Sequence, residues 1–212
     1  MNKPQVAGVI LAAGGSRRFG APQQLLPING QPMLRHVIDA ALPAQLAEVV
    51  VVLGSHANDI IKALDPQAIK PSTHEYTNDV RFVICEDWAQ GASASLRTGM
   101  ALISEDMHAA AILLGDQPGV TTELIDTVVS AFAASDQPIA RPVYGEERTP
   151  SHPVVIDRTL FADCLTLEGD VGAGQLLAAR PNQVLTIEIP GTVPRDVDTP
   201  ADYAQVSERL KR

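Results

Sequence analysis

The 212-residue chain is short of cysteine, short of basic groups relative to acidic ones, and without a long apolar run. Each shortage excludes something. Two cysteines, Cys85 and Cys164, lie in apolar surroundings with no metal-ligand spacing, so neither a disulfide framework nor a zinc site is expected, only buried thiols. No window reaches the roughly 18 consecutive apolar residues that a membrane span needs. Lys and Arg total 16 against 25 Asp and Glu, a net charge of −9, which argues against a protein that neutralises a nucleic-acid backbone. The acid excess falls wholly in residues 81–212, and the neutral first part can still hold one polyanionic ligand. Met1–Gln5 runs straight into a strand-like segment with no signal-peptide layout, so a cytoplasmic protein is expected.

What is present is a globular composition, 45% hydrophobic and 19% charged, at the length of one domain, here taken as 1–212. Short Val/Ile/Leu runs alternate with helical patterns. Strands are predicted at Val6–Leu11, Glu48–Leu53, Arg81–Cys85, Ala109–Leu114, Ile139–Tyr144, Val154–Ile156 and Val184–Ile189. Pro32 opens a helix with Leu34, Val37, Ile38 and Ala41 on one face, and Ser55 is placed as the cap of a helix from about 56 to 64. Further helices are expected over about 93–103, 122–132, 158–165 and 172–179. A last one is announced by Thr199-Pro200-Ala201-Asp202, an N-cap, a proline at the first position and an acidic third residue. Residues 65–80 read as an irregular connection. Repeated βα units with near-continuous apolar strands predict a three-layer α/β/α, Rossmann-like fold around a mostly parallel mixed sheet. Ligands of such sheets bind at the carboxyl ends of the strands, where the strand order reverses.

Four stretches lie where that edge should be. Leu11-Ala12-Ala13-Gly14-Gly15-Ser16-Arg17-Arg18-Phe19-Gly20 follows the first strand. Its small residues let backbone approach a ligand, successive N–H groups can form an anion nest, and its arginines suit phosphate. It lacks the Gly-Lys-Ser/Thr of a P-loop and the glycine spacing of a dinucleotide fingerprint. Gly115-Asp116-Gln117-Pro118 puts a carboxylate after another strand, and Asp198 precedes the last helix; two such carboxylates suit a hard cation completed by phosphate and water. Gly91 to Arg97, with Ser93 and Ser95, opens a helix whose free N–H groups can meet a nucleotide. Ser151-His152-Pro153 and Gly169-Asp170-Val171-Gly172-Ala173-Gly174 are turn-rich loops. On its own merits His152 reads as a surface loop histidine, and His36, His56, His74 and His108 as surface residues.

Taken in order, Leu11-Ala12-Ala13-Gly14-x-Ser16-x-Arg18-Phe19-Gly20, Leu25-Leu26-Pro27, Gly115-Asp116-Gln117-Pro118, His152-Pro153, Gly169-Asp170-x-Gly172-Ala173 and Asp198-Thr199-Pro200 resemble the molybdenum cofactor nucleotidyltransferases, within them the cytidylyltransferase-like branch. The resemblance covers essentially the whole chain and implies a nucleotide-diphospho-sugar transferase-like fold. It also implies transfer of CMP from CTP to molybdenum–molybdopterin, with release of pyrophosphate. Leu11 to Ser16, Arg18, Gln23, Gly91, Ser95 and Asp116 would surround the nucleotide. Arg18 would stabilise the leaving pyrophosphate, and Asp116 and Asp198 would hold Mg²⁺. His152, Gly169, Asp170 and Gly172 would face the acceptor. A molybdoenzyme or its maturation factor is an implied partner, and neither nucleic acid nor membrane is. A phosphate nucleophile is already ionised at neutral pH, so positioning and charge neutralisation should carry most of the rate.

The sequence departs from the pattern twice. Gln23 stands where the family usually has a lysine, and Gly174 where an arginine commonly follows Gly-Ala. Both changes remove positive charge. They leave open a different nucleotide or phosphorylated acceptor, and a non-catalytic module that binds and delivers the cofactor.

Overall fold

The apolar runs become strands because a chain buried on both faces must satisfy its amides in a ladder and its side chains in two cores. The computed structural model describes residues 4–16, 18–64, 76–77 and 80–211. The strands are β1 (Val6–Ala12), β2 (Pro27–Ile28), β3 (Gln31–Pro32), β4 (Glu48–Leu53), β5 (Tyr76–Thr77), β6 (Val80–Ile84), β7 (Ala109–Leu114), β8 (Ile139–Tyr144), β9 (Thr149–Pro150), β10 (Val154–Asp157) and β11 (Val184–Ile189). The helices are α1 (Met33–Ala41), α2 (Ala57–Leu64), α3 (Ala92–Ala101), α4 (Thr122–Ala133), α5 (Phe161–Cys164), α6 (Ala173–Ala179) and α7 (Pro200–Leu210).

One sheet runs in the order β11-β8-β10-β7-β1-β4-β6-β5, with β9 on β8. Strand β1 is parallel to β4 on one side and β7 on the other, while β10 is antiparallel to both β7 and β8. Alternation along β1 splits the core. Val6, Ile10 and Ala12 pack with residues of α1, α2 and α4, while Val9 packs with α3, α5 and α6. Helix α3 comes close to the sheet: a Cβ on Gly99 would stand 2.5 Å from Val9 Cγ1. From β1 the chain moves outward to β4 and β6, then crosses back to β7. The strand order therefore reverses between β1 and β7, and their carboxyl ends frame the expected crevice.

A third, small cluster ties the C-terminus to that crevice. Ile28, Met33, Val197 and Val206 pack together with Phe19 and Tyr203. Tyr203 Oη donates to Pro27 O at 2.5 Å, and Asn29 Nδ2 to Leu210 O at 2.8 Å. Helix α7 starts as the sequence predicts, with Thr199 and Asp202 closing a capping box and Pro200 in the first turn.

Several local readings are corrected. The segment up to Gly30 contains a 3-10 turn at Gln23–Leu25 and the β2–β3 hairpin, because Asn29 and Gly30 take the positive φ values of a tight hairpin turn. Helix α2 begins at Ala57, since His56 sits at φ 59, outside helical geometry. The helix expected over 158–165 divides into a 3-10 turn at Arg158–Leu160 and the short α5. Most of 65–80 lies outside the described residues, as do Arg17 and His74; Tyr76–Thr77 pair with β6. Both cysteines are buried and free, and burial pushes the Cys164 thiol up to about 11.

Candidate nucleotide-transfer site

The loop after β1 is held open from behind by one buried glutamine. Gln24 Nε2 donates to Ala12 O at 2.8 Å and Gly14 O at 3.2 Å, and its Oε1 accepts from Ser16 Oγ at 3.2 Å. Ser16 Oγ also accepts from Gln23 N at 2.9 Å. The Ser16 side chain is therefore a bracket within the loop, and its backbone, at φ 48, turns the chain as an anion nest requires. The amides of Gly14, Gly15 and Ser16 donate to no other described residue. Half-buried Trp88 lies against the loop. A Cβ on Gly15 would come within 2.7 Å of its ring, and one on Gly54 within 2.5 Å of its Cβ. Those two positions need glycine so that the indole can support the loop, whereas Gly14 faces open space. Leu11 and Ala12 end β1, and Ala13 is buried, its carbonyl accepting from Ser55 N at 3.3 Å. Gln23 is half-buried and uncharged at the start of the 3-10 turn.

Across the crevice, Asp196 and Asp198 lie near enough to act on the charge of Asp116, although among the described residues no three carboxylates close on one metal position. Val197 N donates to Asp116 O at 2.9 Å, which seats the C-terminal segment beside the end of β7. Gln117 Nε2 donates to Asp196 Oδ1 at 2.6 Å, while Gln117 Oε1 and Asp116 Oδ1 are buried without a partner. Burial first, then Asp196 and Asp198, pushes the Asp116 carboxyl up to about 7. Burial raises Asp196 as well. Arg18 Nη1 meets Asp198 Oδ1 at 3.2 Å, an exposed pair that bridges the first loop to the last segment. The sequence reading thus finds Asp116, Asp198 and Arg18 together as expected, and misses Asp196, Gln117 and Gln24. A buried carboxylate oxygen with no hydrogen bond, beside a second carboxylate, is the donor set of a hard divalent cation completed by phosphate oxygens. Asp116 and Asp198 fit that role.

The third loop differs from expectation. Gly91, at φ 112, touches the loop before α6: a Cβ there would lie 2.7 Å from Asp170 Cα. Ala92 N donates to Asp170 Oδ1 at 3.1 Å and Ser93 N to Gly169 O at 3.3 Å, while Ala94 N is held by Gly91 O at 3.2 Å. The first amides of α3 are spent on protein acceptors, so they are not open to a ligand. Asp170 and Gly169 act here as the cap of α3. Ser95 is buried in its first turns, and Gly172 precedes α6 with open space around it.

His152 is the clearest correction among the histidines. It is not a surface residue: burial and the charge of Arg141 push it down to about 4, so the ring is neutral at pH 7. It follows a register change. β9 pairs Val143 with Pro150, but β10 pairs Ala140 with Val155, so two extra residues bulge between them at the cis His152–Pro153 bond. Ser151 N still donates to Pro142 O at 3.1 Å.

A family model described as the MobA-like NTP transferase domain matches residues 8–184. The chain belongs to this family. This MobA-like chain is similar to the nicotine blue oxidoreductase of Paenarthrobacter nicotinovorans, 32% identical over 92% of this chain and 93% of that one. It is also similar to a probable molybdenum cofactor guanylyltransferase of Pyrococcus horikoshii, 27% identical over 60% of this chain and 57% of the relative. Among solved structures, Rv0371C of Mycobacterium tuberculosis H37Rv in complex with manganese superposes with a TM-score of 0.79, at 29% identity over 96% and 98% of the two chains. The MobA-like domain thus carries the fold of a nucleotidyltransferase, and a structural relative holds a divalent metal. Among the described residues, no helix is long and apolar enough to cross a membrane.

Proposed function

We propose that this chain transfers a nucleotidyl group, CMP from CTP, to the phosphate of a molybdopterin-type acceptor and releases pyrophosphate. The observation that carries the reading is Asp116: a carboxylate just after β7, one oxygen buried and unpartnered, near Asp198, which pairs with Arg18 of the glycine-rich loop. Free amides at Gly14, Gly15 and Ser16 bind the triphosphate, with Arg18 at the leaving end. Asp116 and Asp198 would hold Mg²⁺, which would supply neutralisation of charge on the phosphates. In the transfer, an oxygen of the acceptor phosphate bonds to the α-phosphorus as the bond to the bridging oxygen of pyrophosphate breaks. No proton need be removed from an ionised nucleophile, and the neutral His152 is not asked to act as a base. Ser95, Gly91 and Gln23 border the nucleotide, and His152, Gly172 and the Gly169–Asp170 loop border the acceptor. The molybdenum cofactor guanylyltransferase relative supports the acceptor class. Ala13, where the guanylyl branch tends to carry glycine, favours CTP.

Pyrophosphate release with CTP or GTP, Mg²⁺ and molybdenum cofactor tests the reading. CTP-dependent release that disappears in Asp116→Asn is expected; release with neither nucleotide overturns it. A second reading, a module that binds and delivers the cofactor without turnover, is favoured by Gln23, a neutral amide where a cation is usual. A large gain of turnover in Gln23→Lys supports that second reading, and full activity with Gln23 in place excludes it.

A further inference from the structure

On the acceptor side, β8 carries a cation with no partner among the described residues. Arg141 stands two residues after Ile139 on the same face of the strand, the side of the sheet that carries α5 and α6. Its Nε is buried without a partner, and the side chain makes no hydrogen bond or ion pair among the described residues. Burial lowers its proton affinity. The groups that could answer it are committed or uncharged. Thr186 stands opposite on β11, and its hydroxyl accepts from Arg148 Nη2 at 2.8 Å. Glu188, farther along β11, pairs with Arg148. His152 is kept neutral beside Arg141, and the hydroxyl of buried Ser151 next to it also lacks a partner.

Arg141 is half-buried, but an Nε–H shut off from water without an acceptor is unfavourable unless something anionic completes it. In an acidic protein with carboxylates to spare, none of the described ones is supplied here. Strand β8 is two strands from β7 and three from β1, or about 14 Å from the strand that carries the triphosphate loop. The cation is therefore misplaced for the nucleotide's phosphates and well placed for a second ligand.

We infer that Arg141 is an acceptor-side specificity residue, receiving an oxyanion of the second substrate in a fork of N–H donors, with Ser151 and His152 completing its polar wall. This rests on the transferase reading for the identity of the second substrate, but the anion subsite itself does not need turnover. The β9 register explains how it forms: Val143 pairs with Pro150 and Ser151 N donates to Pro142 O, so the same ladder sets His152 alongside Arg141 before the register changes at β10.

Inorganic phosphate is the probe, titrated by calorimetry into wild type, Arg141→Met and Arg141→Lys, with and without CTP and Mg²⁺. The dissociation constant of the Arg141-dependent site should rise about 10- to 100-fold in Arg141→Met, the loss of a charge-assisted contact. Arg141→Lys should recover part of it. The midpoint of ligand-free thermal unfolding of Arg141→Met should be unchanged or higher, and its affinity for CTP unchanged. With molybdenum cofactor as acceptor, the acceptor KM should rise while the CTP KM holds. Equal phosphate affinity in wild type and Arg141→Met overturns the inference, and so does a lower ligand-free midpoint, which would make Arg141 a structural strut. Loss of CTP binding along with phosphate overturns the acceptor-side assignment. Arg141-dependent phosphate binding in a protein that binds no nucleotide would leave the subsite standing and sink the transferase reading instead.

Discussion

The two sides of the crevice treat charge in opposite ways. On the nucleotide side, charges are exposed and answered: Arg18 meets Asp198 in solvent, and Asp196 is held by Gln117. Among the described carboxylates there, Asp116 alone keeps a buried oxygen with no partner. On the acceptor side, half-buried Arg141 keeps a buried Nε with no partner among the described residues and is flanked by a histidine that stays neutral. One side offers an unpaired anion and the other an unpaired cation. Such a pair is unfavourable in the empty protein and complementary to a cation-bearing phosphate on one side and an anionic acceptor on the other. The comparison teaches that each half of the site is built for what it lacks, and substitutions can break either half alone.

The largest effect is expected at the unpaired anion. Asp116→Asn should lower turnover about 10²- to 10³-fold, the usual cost of one preorganised charge contact, read by pyrophosphate release. Its effect on stability has the opposite sign. Because the folded protein holds the Asp116 proton up to about 7, against an ordinary value of 3.8, folding is least hindered below about pH 4 and loses stability as the pH rises through 7. The loss is about 2–4 kcal/mol. Urea unfolding at pH 8 should therefore find Asp116→Asn the more stable protein, with the difference gone below pH 4. Mg²⁺ or Mn²⁺ should stabilise wild type and not the variant. Equal stability at pH 8 would mean that Asp116 is not desolvated.

A smaller effect separates the scaffold of the nucleotide loop from its chemistry. Gln24→Ala leaves the carbonyls of Ala12 and Gly14 without their donor, and should cost about 1–3 kcal/mol. Nucleotide affinity should fall with it, because the free amides lose their fixed direction. Thermal unfolding with and without CTP reads both. A variant as stable as wild type, with full affinity, would show that the loop is shaped without this bracket.

The same division explains what the sequence could reveal. The sheet was legible because β1, β4 and β7 are apolar on both faces, a pattern that few other structures produce. The nucleotide side was legible because its donors are contiguous: small residues, arginines and a Gly-Asp turn each follow a strand directly. The capping box at Thr199 was equally local. Gln24, Trp88 and Asp196 escaped notice because their roles are partners across the loop, and nothing in their own neighbourhoods marks them. The acceptor side was illegible for a stronger reason. The pairing of β9 with β8, a contact between strands, decides that His152 lies beside Arg141, and a strand arginine with a histidine before proline otherwise reads as surface. The amides at the start of α3 were misread in the same way, since their acceptors, Gly169 and Asp170, lie far away in sequence.

The smallest effect belongs to the most visible contact. Arg18 and Asp198 pair at 3.2 Å, but their side chains are 67% and 58% exposed, so water competes for both. An exposed ion pair of this kind contributes about 0–1 kcal/mol, less in salt. Arg18→Gln should therefore shift the unfolding midpoint hardly at all, by less than Gln24→Ala does. In turnover the ranking should reverse, because a cation that faces a leaving pyrophosphate acts only once the nucleotide is bound. The pair thus marks a cation that Asp198 can surrender at little cost, freeing the arginine for phosphate and the carboxylate for the metal. Raising NaCl should leave stability nearly flat in wild type and variant alike. A midpoint for Arg18→Gln several degrees below wild type would instead make the pair a structural clasp between the first loop and the last segment, and would remove Arg18 from the chemistry of the nucleotide side.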